Sequence, residues 1–246
     1  MLLTEPLTYQ TIRRDYQPHS VPDEIVINHY TRAVSPVFTC LLVRWNVIPN
    51  SVTVGMILSG VLGAALFAFP WLACKIGGLV FIHLWFILDC SDGEVARITK
   101  RFSTFGTDMD YLAHAVNHPL FNLSFAWSLV ALHRWNSSAI LACAVVSISA
   151  EMLIRHLTGL SYVYCKVRGT AALEAAPKGR LRIWVTRLLG VFYVYPNFAL
   201  LFPVLYLIDR FAGTPLAPLY LAAQTGFSVL VAARLAIFWI RTLQPA

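Results

Sequence analysis

The chain alternates between long apolar runs and short polar interruptions, and most of the runs share one length class. A helix that crosses the hydrocarbon core of a bilayer needs about 20 largely apolar residues. Six stretches meet that pattern, at residues 51–70, 71–95, 107–132, 137–164, 184–208 and 217–240. Between the first two lies only the Pro70-Trp71 step, which predicts a tight helical hairpin. The segment at 23–45 is of a different kind. Its Ile25, Tyr30, Val34, Val37, Phe38, Leu41 and Leu42 fall largely on one helical face, while Arg32, Ser35 and Thr39 face elsewhere and Pro36 predicts a bend. This pattern reads as an amphipathic helix lying on a membrane surface. The plainer alternative is a helix that only packs on neighbouring loops. Residues 1–22 hold no apolar core long enough for a secretory signal and read as a polar tail. The expected fold is an all-α integral membrane protein, one domain over 1–246. It would have a six-helix bundle over 51–240 and an interfacial helix at 23–45.

Composition agrees with that reading. Of the 246 residues, 58% are hydrophobic and 13% charged, against about a quarter charged in soluble domains. Mean hydropathy is +0.65 and the pI is about 9.3. A nucleic-acid binder could share the pI but not the hydropathy, so no nucleic-acid partner is expected. The formal charge of +7 is clustered, which suits anionic lipid or phosphate-bearing substrates. Arg13, Arg14, Arg32 and Arg44 precede the first apolar run, and Lys100 and Arg101 follow the second. Lys166, Arg168, Lys178, Arg180, Arg182 and Arg187 surround the link between the fourth and fifth, whereas the opposite side offers Arg134 and Arg210. The positive-inside rule then predicts cytoplasmic termini. The five cysteines are scattered, with no CxxC pair, and read as packing residues rather than a disulfide or zinc framework.

The stretch with chemistry in it runs from Asp89 to His114, DCSDGEVARITKRFSTFGTDMDYLAH. Ionisable groups near or within apolar helices are costly and mark function or pairing. Asp89 and Asp92 are three residues apart and share a helical face, and Asp110 and His114 share one at a spacing of four. A short link between the two helices lets all four converge. Three carboxylates and an imidazole gathered there call for one or two divalent cations, with oxygen ligands favouring Mg²⁺ or Mn²⁺. Gly93 and Ala96 leave room on that face for a flat base. Arg97 offers a planar fork suited to a pyrophosphate. Gly106 permits a turn or a close approach to a ligand.

These residues resemble the signature of the CDP-alcohol phosphotransferase family, D-x2-D-G-x2-A-R-x8-G-x3-D-x3-D. Asp89, Asp92, Gly93, Ala96, Arg97, Gly106 and Asp110 occupy its fixed positions, and the run Ile48-Pro49-Asn50-Ser51-Val52-Thr53 is similar to the T-P-N-x-x-T opening of many members. The resemblance implies a membrane homodimer with a cavity open to the cytoplasmic leaflet. It implies that a substituted phosphate is moved from a CDP-alcohol donor to an acceptor hydroxyl, releasing CMP, in phospholipid or phosphodiester biosynthesis. The donor would be CDP-diacylglycerol or a CDP-linked polar alcohol. It also implies two divalent cations held by Asp89, Asp92 and Asp110, and a nucleotide-binding set that includes Asn50. The family's last aspartate is assigned as the base at the metal pair; here that position is His114, which can act as base or as nitrogen ligand. The alternative is a non-catalytic membrane protein that binds a CDP-lipid or a cation. No paired discontinuous helices point to a transporter.

Other candidates are weaker. Arg155, four residues after Glu151, and Arg234 could hold an acceptor's phosphate or headgroup, while a self-neutralising Glu151–Arg155 pair is the plain reading of the first. His83 and Trp85 read as packing. His118 reads as a buried structural histidine, with a supporting role for His114 as the alternative. The Tyr193, Tyr195, Pro196, Asn197 run reads as a helix kink.

Overall fold

The computed structural model describes residues 7–17, 27–168, 188–192 and 194–243, which are helical throughout with short links and no strand. A short helix α1 (Tyr9–Thr11) runs into a π-helical turn at Ile12–Tyr16. The longer helices are α2 (Ile27–Arg44), α3 (Pro49–Ala68), α4 (Leu72–Thr99), α5 (Gly106–Val130), α6 (Ser137–Arg168), α7 (Tyr195–Ala212) and α8 (Leu216–Leu243). The chain forms two compact units, residues 1–128 and 129–246.

Among the described residues, four helices are long and apolar enough to cross a membrane: α3, α4, residues 137–160 of α6 and residues 216–241 of α8. The predicted run at 107–132 falls short of that standard, and the run at 184–208 lies partly outside the described residues, at 184–187 and 193. The first is the helix α5, whose Asn117, His118, Asn122, Ser124 and Ser128 are buried. Those polar side chains lower its hydropathy while facing protein. The second is interrupted. Residues 188–192 are helical, Val194 is extended, and α7 begins with Pro196 in its first turn, where a missing N–H costs nothing. Asn197 Nδ2 ties the break together by donating to the Gly190 carbonyl at 3.0 Å. The basic cluster expected after α6 falls mostly at 169–187, outside the described residues.

In the first unit, α3 and α4 form the predicted hairpin. Each begins after an extended residue, Ile48 and Trp71, and Pro49 opens α3. Their approach is close enough that a Cβ at Gly78 would lie 2.6 Å from the Phe67 backbone nitrogen, the small-residue contact that lets membrane helices touch. Lys75 is fully buried beside it and donates to the Phe67 carbonyl and to Ser128 Oγ at 2.5 Å. Its ammonium thus sits at the C-terminal end of α3, where a helix favours positive charge.

The helix α2 follows its predicted span, with Pro36 inside it. Tyr30, Val37 and Leu41 are exposed, whereas Thr31, Ser35 and Thr39 are buried. Hydroxyls expected to face elsewhere therefore form the docking stripe. The reason is Glu94 of α4, which is 1% exposed. Its carboxylate accepts from Gln17 Nε2 at 2.7 Å, Ser35 Oγ at 2.6 Å and Thr39 Oγ1 at 2.6 Å. A buried carboxylate is tolerated only with such donors.

In the second unit, Asp209 joins α7 to α8. Gly213 ends α7 at φ 73°. The Asp209 carboxylate then accepts from Thr214 Oγ1 at 2.6 Å and from the backbone N–H groups of Leu216 and Ala217 at 3.0 and 2.7 Å. It satisfies the orphan donors that open α8. Farther along, Ser147 of α6 donates to Gln224 of α8 at 2.7 Å, linking two apolar helices through buried polar groups.

Candidate active site

Asp89 and Asp92 sit in the last third of α4, Asp110 and His114 in the first turns of α5. The link between them turns at Lys100, which adopts φ 55° as the C-cap of α4. Gly106 has no such strain. It opens α5, closes a turn by donating its N–H to the Ser103 carbonyl at 3.2 Å, and lines a cleft. Asn50, in the first turn of α3, steadies the link by donating to Ser103 Oγ at 3.3 Å.

Three of the four expected ligands converge. His114 Nε2 lies 3.2 Å from an Asp89 carboxylate oxygen and 3.5 Å from one of Asp110. One donor atom from each of the three can be chosen so that all lie within 4.8 Å of one another. Two carboxylate oxygens and an imidazole nitrogen at that separation fit a divalent cation. Asp92 stands apart from this group, its carboxylate engaged by Thr53 Oγ1 at 3.0 Å.

The imidazole is braced from behind. His114 Nδ1 is 3.0 Å from His118 Nε2, and His118 is 1% exposed. Trp85, also buried, meets both rings edge-on at centroid distances of 4.9 and 5.6 Å. Packing describes Trp85, as expected. His118 is both the buried histidine expected and a partner of His114. His83, a turn earlier, contacts Tyr30 of α2 edge-on at 5.7 Å.

Beside the cluster opens a cleft of about 320 Å³ lined by Asn50, Thr53, Asp92, Gly93, Ala96, Arg97 and Asp110 together with the α4–α5 link. Asp110 belongs to both cleft and cluster. Gly93 leaves space that Arg97 uses, since a Cβ there would lie 3.1 Å from Arg97 Nη1. Arg97 Nε donates to the Tyr16 carbonyl, which fixes the guanidinium from its inner side.

A model of the CDP-alcohol phosphatidyltransferase family matches residues 46–239. The chain belongs to the CDP-alcohol phosphatidyltransferase family. No individual curated protein matches it. Membership makes it a transferase of phospholipid biosynthesis, and the matched stretch includes the α4–α5 pair just described. Two features of this phosphatidyltransferase's site were not legible in its motif. Glu94 occupies a variable position of the signature, and its donors come from 55 to 77 residues away. Thr53 was visible only as part of the opening run of α3. Arg155 and Arg234 belong to the second unit, in α6 and α8. Arg155 Nη2 lies 4.0 Å from Glu151, and Arg234 is exposed.

Proposed function

We propose that this protein transfers a substituted phosphate from a CDP-alcohol to the hydroxyl of an acceptor alcohol and releases CMP, with divalent cations at the α4–α5 cluster. The observation that carries this reading is the shared position of Asp110, which belongs both to the Asp89–Asp110–His114 cluster and to the adjoining cleft. Such a site can hold a diphosphate next to a cation. Asp89, Asp92, Asp110 and His114 would hold one or two cations, Mg²⁺ or Mn²⁺. A bound divalent ion supplies polarisation of the phosphate and stabilisation of the negative charge on the leaving group.

The chain's own groups account for the rest. The base of the nucleotide lies along the face of Gly93 and Ala96, beside the Arg97 guanidinium that covers Gly93. Arg97, anchored through Nε, turns its remaining N–H groups toward the diphosphate. Thr53 orients Asp92 from α3, and Asn50 and Gly106 complete the cleft wall. The acceptor oxygen attacks the β-phosphorus in line. The bond from that phosphorus to the oxygen bridging the two phosphates breaks, and CMP leaves. The hydroxyl proton passes to a group of the cluster.

The wider reading has six membrane-crossing helices, α5 and the α7 region joining the four long apolar ones. The exposed apolar residues of α2 rest in the interface and the chain pairs as a homodimer. Arg155 and Arg234 contribute to acceptor or headgroup binding. The donor is CDP-diacylglycerol or a CDP-linked polar alcohol.

The test is CMP release by the purified full-length protein in lipid vesicles, over a panel of CDP-alcohols and acceptors, with Mg²⁺ or Mn²⁺. Asp89→Asn and Asp110→Asn should each abolish release while leaving the helical circular dichroism unchanged, because each removes a charge that offsets the cation. Excess chelator should silence the wild type, and added cation should restore it. CMP release that persists in excess chelator refutes the cation-dependent reaction.

A further inference from the structure

We propose that His114 is a cation ligand, held in its ligating tautomer by His118, and that the cluster therefore prefers a first-row transition ion such as Mn²⁺ to Mg²⁺. The inference rests on the cation-dependent reading above and deepens it, because it says how His114 is held for the cation and which ion that favours.

The geometry around both ring nitrogens supports it. Nε2 points at carboxylate oxygens of Asp89 and Asp110, 3.2 and 3.5 Å away. A general base needs its lone pair within reach of the substrate's hydroxyl, whereas this nitrogen faces the two groups most suited to share a cation with it. Nδ1 faces His118 Nε2 at 3.0 Å, and a single proton serves that contact. When His114 Nδ1 carries the proton and donates it, Nε2 is left bare toward the two carboxylates. That is the tautomer a metal requires. His118 is buried, and Trp85 closes the edge of both rings. In that tautomer His118 serves a ligand imidazole as its outer-shell acceptor.

The donor chemistry then sets the preference. Mg²⁺ asks for oxygen ligands in near-ideal octahedral geometry. The site offers the carboxylates of Asp89 and Asp110, that of Asp92 oriented by Thr53, and one neutral nitrogen where the signature has a further carboxylate. Exchanging an anionic oxygen for a neutral nitrogen removes a negative charge that a hard ion uses fully. It adds a donor for which transition ions have higher affinity.

Electron paramagnetic resonance on the full-length protein in detergent, stripped of cations and titrated with Mn²⁺, tests this directly. Loss of the free Mn²⁺ signal gives the affinity, and spin-echo modulation reports a nitrogen bonded to the ion. The wild type should bind Mn²⁺ with nitrogen-14 coupling, and Mg²⁺ should displace it only at an excess of about tenfold or more. His114→Asp should bind Mn²⁺ without that coupling and yield to Mg²⁺ more readily. His118→Ala should weaken Mn²⁺ binding by about ten- to a hundredfold, the usual cost of losing an outer-shell partner. His118→Gln should recover part of it, because its amide oxygen can accept from Nδ1.

No bound Mn²⁺, bound Mn²⁺ without nitrogen coupling, equal competition by Mg²⁺, or unchanged affinity in His118→Ala would each overturn the assignment. Nitrogen-coupled Mn²⁺ in a protein that releases no CMP from any CDP-alcohol would refute the reaction and leave this ligand assignment standing. CMP release with Mn²⁺ bound through oxygen alone would do the reverse.

Discussion

At residue 93 the cleft takes its shape from a side chain that is missing. The Arg97 guanidinium lies over Gly93, so close that a methyl group there would touch it. Gly93→Leu should push the guanidinium aside and weaken CDP binding by about ten- to a hundredfold, the worth of a charged hydrogen bond. Calorimetry with CDP should read this loss, and Mn²⁺ affinity should change far less. Much of this was legible in the spacing alone. Asp89, Asp92, Asp110 and His114 share helix faces by their intervals, and a short link brings two faces together. The finer division was not legible, because no interval along α4 shows that Thr53 of another helix takes up Asp92. Glu94 was hidden for the same reason. Its meaning lies in three donors distant in sequence, and one acid among several in a motif carries no mark of them. Glu94→Gln would place an amide N–H₂ among those donors. It should cost about 1–3 kcal/mol and raise hydrogen exchange in α2, as measured by mass spectrometry.

At the scale of elements, pattern located helices better than it assigned their surroundings. The hairpin of α3 and α4 was plain because only Pro70 and Trp71 separate two long apolar runs. The break at Val194 lies inside an apolar stretch, at the run ending in Pro196 and Asn197 that reads as a helix kink. On α2 the two stripes were seen, yet the polar one proved to be the docking face, since a buried acid on α4 outbids water for its hydroxyls. The buried Lys75 passed unnoticed inside a predicted apolar run, although it meets the end of the preceding helix. For the hairpin, Gly78→Val should be the damaging change. It sets a branched side chain against the Phe67 backbone, which cannot swing away, and overpacking of this kind costs about 1–3 kcal/mol. A lower thermal unfolding midpoint in detergent is expected. Gly77→Val, one residue earlier, should be mild, because a Cβ there meets only a Leu66 methyl at 3.5 Å.

For the whole molecule, four helices among the described residues are apolar enough to cross a bilayer unaided. On the proposed count of six crossings, the positive-inside rule predicts that both ends of the chain face the cytoplasm. A reporter fused after Ala246 should then be active only in its cytoplasmic form, and an active exported reporter would contradict the count.

The family match begins at residue 46, and every signature residue lies beyond that point. A shortened protein starting there would keep the whole motif yet lose Gln17, Ser35 and Thr39, leaving the Glu94 carboxylate without these donors and without the helix packed over it. It would also lose Tyr16, whose carbonyl anchors Arg97. The smallest piece able to work is therefore longer than the stretch that the family model matches. In this chain the N-terminal segment ahead of that stretch serves as part of the scaffold of the site.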